Sequence, residues 1–163
     1  MTQENLLLSQ EDLQMLVKSL LEGATVAQVN GISADTLENL YALAYGLYNA
    51  GNYKDAETLF AALTVYDAKQ YRFWMGLAGA RQALNLYQPA IDAYQMAAVA
   101  TELKNPAPLF YAAKCLIRLN QKEEALAALE GLLFMADKAN PDYKPTLEKA
   151  QALLELLKSG DKK

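Results

Sequence analysis

A repeat of 34 residues runs through the middle of the chain and constrains its fold more than any other feature. Leu40, Leu43, Ala44, Leu47, Gly51, Tyr53, Ala56 and Phe60 are followed, each at that spacing, by Trp74, Leu77, Ala78, Arg81, Asn85, Tyr87, Ala90 and Tyr94. A third copy comes after a step of 35: Leu109, Ala112, Ala113, Leu116, Asn120, Lys122, Ala125 and Leu129. The alanine columns 44/78/113 and 56/90/125 let two helices approach closely, and Leu40, Trp74 and Leu109 fill the space between them. The connections AGNY, LNLY and LNQK carry the Gly and Asn residues of tight turns. The pattern predicts helical hairpins stacked neighbour on neighbour.

These columns resemble the tetratricopeptide pattern, W-x2-L-G-x2-Y followed by G-x-Y-x2-A-x3-F. The expected architecture is all-α: three repeats, at 37–70, 71–104 and 106–139, forming one short superhelical domain. The third copy departs from the aromatic pattern at Lys122 and Leu129. Residues 1–36 read as an N-terminal helix and a joint. Ser9 and Asp12 form a capping box ahead of an apolar stripe of Leu13, Leu16, Val17, Leu20 and Leu21. The joint, GATVAQVNGIS, ends at an N-cap on Ser33 or Asp35. Over 141–163, Pro141 opens a final helix whose stripe of Leu147, Ala150, Leu153, Leu154 and Leu157 covers the open end of the stack, and the tail SGDKK frays.

Composition narrows the function. Hydrophobic residues make up 53% of the 163, enough for one continuous core. With 19 acidic against 15 basic side chains the net charge is −4, and no basic face offers itself to nucleic acid. Histidine is absent, which removes the commonest general base and metal ligand, and no phosphate-cradling loop or metal-ligand spacing occurs. Glu57, Glu123 and Glu124 fall on solvated helical surfaces. The expectation is a protein that is not an enzyme and uses neither cofactor nor metal. Cys115, the single cysteine, lies in an apolar helical run and reads as a buried thiol in a reducing compartment. In MTQENLLLSQED no positive charge precedes the three-leucine run, and no stretch approaches membrane-spanning length, so a cytosolic protein without membrane insertion is expected.

In a tetratricopeptide hairpin the first helix faces the concave side. Its groove positions are Glu38, Tyr41, Tyr45 and Tyr48 in the first repeat, Arg72, Met75, Gly79 and Gln82 in the second, and Ala107, Phe110, Lys114 and Ile117 in the third. At 100° per residue the three tyrosines fall within roughly 60° of one another, forming one aromatic strip. The strip admits two readings: packing against the N-terminal helix or a second copy, or anchoring a peptide. A buried tyrosine hydroxyl needs a partner that Leu or Phe would not, which argues against a purely internal role. Three apolar anchors of a ligand, each worth about 1.5–3 kcal/mol before ordering costs, suit an affinity on the order of micromolar or tighter.

The segments GATVAQVNGI, LYALAYGLYNAGNYKDAETLF, LTVYDA and MGLAGARQAL are similar to the class II chaperones of bacterial type III secretion systems, the LcrH/SycD/IpgC-like family. The resemblance runs from about residue 20 to 120. It implies a bacterial cytosolic chaperone that holds hydrophobic translocators before secretion, with an extended N-terminal translocator segment in the groove. The implied contacts are Tyr41, Tyr45, Tyr48, Tyr53 and Val65, with Gln82 and neighbouring groove positions. It also implies a homodimer formed through the stripe from Leu13 to Leu21. A generic tetratricopeptide adaptor that clamps a C-terminal carboxylate is the alternative. That chemistry needs Lys, Arg and Asn along the concave helices, where the first repeat offers tyrosines. A supporting role toward transcription regulators is a further possibility within the family.

Overall fold

The computed structural model describes residues 9–160, and among these residues the chain is helical throughout, with no strand. The three-leucine run and the last three residues of the tail lie outside the described residues.

The first helix, α1 (Gln10–Leu21), starts at the expected capping box: Asp12 N–H donates to Ser9 Oγ at 3.1 Å, and Ser9 N–H donates to the Asp12 carboxylate at 3.2 Å. The joint is more ordered than its glycines suggest. It contains a short helix, α2 (Val26–Val29), held by a second capping box in which Gln28 N–H donates to Thr25 Oγ1 and Thr25 N–H donates to Gln28 Oε1. Ala27 is buried, Ile32 packs on the same core, and Lys69 Nζ donates to the Gly23 carbonyl, so the joint is fastened to the first repeat. By contrast, α1 buries no residue and packs chiefly on α2.

Three helix pairs follow: α3 (Ala34–Asn49) with α4 (Tyr53–Tyr66), α5 (Tyr71–Ala83) with α6 (Tyr87–Ala100), and α7 (Ala107–Arg118) with α8 (Lys122–Met135). Ser33 is the N-cap of α3, its Oγ accepting from Thr36 N–H at 3.1 Å. Ala44, Ala78, Ala113, Ala56, Ala90 and Ala125 are all fully buried, as close helix packing at those columns requires. Gly51, Asn85 and Asn120 sit at equivalent left-handed positions, with φ of 81°, 61° and 58°. Each ends its helix in the same way, its own N–H and the next N–H turning back to the helix's last free carbonyls, as in Asn85 to Gln82 and Leu86 to Arg81. Asparagine is the side chain that tolerates this conformation best after glycine.

The step of 35 has a location. Within each pair the column spacing is unchanged, so the extra residue falls in the linker between α6 and α7. There Glu102 and Leu103 adopt consecutive left-handed conformations, φ 52° and 63°, and Asp137 N–H ties the linker down through the Lys104 carbonyl at 3.0 Å. The core runs as two clusters that share α7: Ala112 and Cys115 belong with the first two pairs, and Ala113 belongs with α8 and the last helix.

That last helix starts later than the sequence suggests. Pro141 opens a 3-10 turn, Pro141–Tyr143, capped by Asn140, and α9 spans Lys144–Ser159. Pro145 is the reason. It has no N–H to give the Pro141 carbonyl four residues back, so the α-helical ladder cannot run through Pro141 and restarts at Lys144. Ala150 and Leu154 are buried, with Leu147, Leu153 and Leu157 packed around them. Because α3 touches α5, α7 touches α9, and Gln82 of α5 shares a pocket with Phe110 of α7, the first helices of the pairs form one inner row.

Candidate functional site

Two adjoining pockets open on the inner row. The first, about 330 Å³, is lined by Tyr41, Tyr45, Tyr48, Tyr71, Arg72 and Met75, with Phe60, Gly76 and Gly79 at its base. Tyr41 links core and surface: its ring lies 5.8 Å from Phe60, edge to face, and 5.7 Å from Phe73, while Tyr45 stacks on its outer side at 6.3 Å. Tyr45 is therefore the most open of the three tyrosines, 53% exposed. Tyr48 leans over α5, and a Cβ at Gly79 would meet its ring at 3.7 Å, an ordinary contact. Gly76 is different. A Cβ there would stand 2.3 Å from the ring of the buried Phe60, so this glycine is what lets Phe60 seat against α5.

The first pocket is electrically quiet. The Arg72 guanidinium sits 4.7 Å above the Tyr41 ring and grips Glu38 with both arms, Nη1 to Oε1 at 3.0 Å and Nη2 to Oε2. Burial raises the Tyr41 and Tyr48 hydroxyls above the ordinary phenol range, with Arg72 partly opposing the shift at Tyr41, so both remain neutral hydrogen-bonding groups.

The second pocket, about 560 Å³, is lined by Gln82, Tyr87, Phe110, Lys114, Ile117, Arg118 and Leu153. Lys114 Nζ lies 5.9 Å from the Phe110 ring and 5.4 Å from that of Tyr111, and Arg118 lies 5.6 Å from Tyr87. Gln82 is held by the buried Tyr94, whose hydroxyl donates to its Oε1 at 2.7 Å. Apolar walls with a few polar and cationic handles suit an extended polypeptide better than a small polar metabolite.

A family model described as tetratricopeptide repeat matches residues 37–70. The low calcium response locus protein H of Yersinia pseudotuberculosis is 40% identical over 152 residues, covering 91% of this chain and 88% of that protein. The Yersinia enterocolitica type III secretion chaperone SycD, solved with a peptide of the translocator YopD, superposes with a TM-score of 0.72 at 37% identity over 80% of this chain and 98% of that one. This chain belongs to the class II type III secretion chaperones. A type III secretion complex from Aeromonas hydrophila contains a chain still nearer in shape, with a TM-score of 0.83 and 35% identity over 91% of this chain and 98% of its own.

In this chaperone most of the groove positions read from the sequence divide between the pockets: Tyr41, Tyr45, Tyr48, Arg72, Met75 and Gly79 line the first, Gln82, Phe110, Lys114 and Ile117 the second, and Glu38 and Ala107 line neither. Tyr53 lines neither; it braces Tyr48 edge to face at 5.3 Å. Val65 also lines neither and is 65% exposed on α4. Phe60, Tyr71, Gly76, Tyr87, Arg118 and Leu153 join the lining without having been singled out for it. Tyr87 and Phe60 carried a signal, since both stand in repeat columns, but the sequence assigned those columns to hairpin packing. Leu153 belongs by pattern to the stripe that caps the stack, and only the tertiary fold turns it toward the groove. The N-terminal stripe splits in two. Leu13, Val17 and Leu21 line an open trough with Gln14, Lys18 and Glu22, and Leu16 lies in a crevice against α2.

Proposed function

We propose that this chaperone acts in the bacterial cytosol by holding a hydrophobic translocator through an extended apolar segment laid along the two pockets. The first pocket anchors the segment. The observation that carries this reading is the first pocket itself: three tyrosines and Met75 surround an apolar cavity whose one lining cation, Arg72, is already neutralised by Glu38. Such a surface gains most from desolvating apolar side chains and least from binding an ion. The SycD structure with a YopD peptide supports the same reading. Among the described residues no helix is long and apolar enough to cross a membrane. The exposed trough on α1 would join two copies into a homodimer. The role is one of binding, with no catalytic step.

The test is titration of Tyr45→Ala against a cognate translocator. Tyr45 is exposed and, among the described residues, stacks only on Tyr41, so its loss should weaken binding by more than tenfold, about 1.4 kcal/mol or more, while the thermal midpoint stays near wild type. Undiminished binding would exclude the first pocket as the anchor.

A further inference from the structure

The two pockets differ in charge. Arg72 in the first is matched by Glu38, whereas Lys114 and Arg118 in the second form no ion pair among the described residues, and no side chain lining that pocket is acidic. Both cations are exposed and are supported by aromatic faces, Lys114 by Phe110 and Tyr111, Arg118 by Tyr87. The other polar groups there are turned the same way. Gln82 has its carbonyl oxygen occupied by the Tyr94 hydroxyl, leaving its amide N–H groups as donors, and the Tyr87 hydroxyl is committed to Asn85 Oδ1 at 2.8 Å. Two unneutralised cations and an oriented amide over apolar walls, in a chain of net charge −4, make a subsite for a carboxylate on an otherwise apolar segment.

We propose that the second pocket takes an acidic side chain, Asp or Glu, of the same bound segment. This rests on the groove reading above. It assigns the segment a mixed character: apolar where it meets the tyrosines, anionic where it passes between Lys114 and Arg118. The pockets lie about one inner-row helix apart, roughly 10 Å, which an extended chain covers in about three residues. The acidic residue thus belongs about three positions from the nearest apolar anchor.

The probe is a panel of short peptides, acetylated and amidated at their ends, each carrying a fixed apolar anchor pair and a single Glu or Gln moved along the sequence. Fluorescence anisotropy measures their binding to the full chain. The expected result is one register, about three residues from the anchors, at which Glu binds about fivefold or more tighter than Gln. That preference should fade as salt is raised and vanish in Lys114→Met, Arg118→Met, where the Glu and Gln peptides of that register bind equally. Equal binding of Glu and Gln peptides in every register overturns the subsite and leaves the groove standing, as does a Glu preference that survives in the double variant. Tight binding that needs a free C-terminal carboxylate instead of an internal Glu overturns it in favour of a terminal clamp. Failure of every peptide to bind overturns the groove together with its subsite.

Discussion

At the scale of single residues, the three tyrosines that share one strip in the sequence have different physical roles. Tyr45 stands out into the pocket. Tyr41 is wedged between Phe60 and Phe73, and thus belongs to the core as much as to the site. Tyr41→Ala is accordingly expected to lower stability by about 2 kcal/mol as well as affinity, whereas Tyr45→Ala should lower affinity alone; urea denaturation of the two variants separates them. Gly76→Ala is expected to cost about 1–3 kcal/mol in the same assay, because the added methyl meets a ring that is 1% exposed and cannot move aside. Gly79→Ala, with its nearest neighbour at 3.7 Å, should be close to neutral for folding. The sequence made Gly79 conspicuous through its groove position. It gave no sign of Gly76, because the requirement there comes from Phe60 on another helix.

At the scale of elements, what was legible depended on how local the determinant is. The capping box at Ser9 and the alanine columns are local or periodic signals, and the structure forms them where the sequence puts them. The helix hidden in the joint is four residues long, too short to display a 3.6-residue period. Its one signal was the Thr25-x-x-Gln28 box between two glycines. The late start of α9 was legible in principle, since Pro145 stands four residues after Pro141. The packing of α1 was not. Its leucines repeat as an amphipathic helix should, yet the stripe faces solvent, with Leu13 51% and Leu21 83% exposed. A second copy of α1 would cover it. Sedimentation at micromolar concentration should show a dimer, and Leu13→Glu with Leu21→Glu should shift it to monomer without loss of helicity. A dimer that persists in that variant would place the interface elsewhere.

At the scale of the whole molecule, the stack has two unlike ends and one continuous inner face. At the C-terminal end α9 covers the last pair and lends Leu153 to the second pocket, so the cap is also part of the groove. At the other end Leu43, whose counterparts Leu77 and Ala112 are buried by the preceding pair, is 55% exposed because no pair precedes it. The inner face thus presents an apolar pocket followed by a cationic one, and the account stands or falls on whether a translocator lies there. Photocrosslinking in the co-expressed complex is the most direct measurement, with a photoreactive phenylalanine analogue placed at Tyr45 inside the first pocket or at Val65 outside both. Crosslinks are expected from position 45 to one short segment of the translocator, with little or none from position 65. Crosslinks from position 65 with none from position 45 would contradict it.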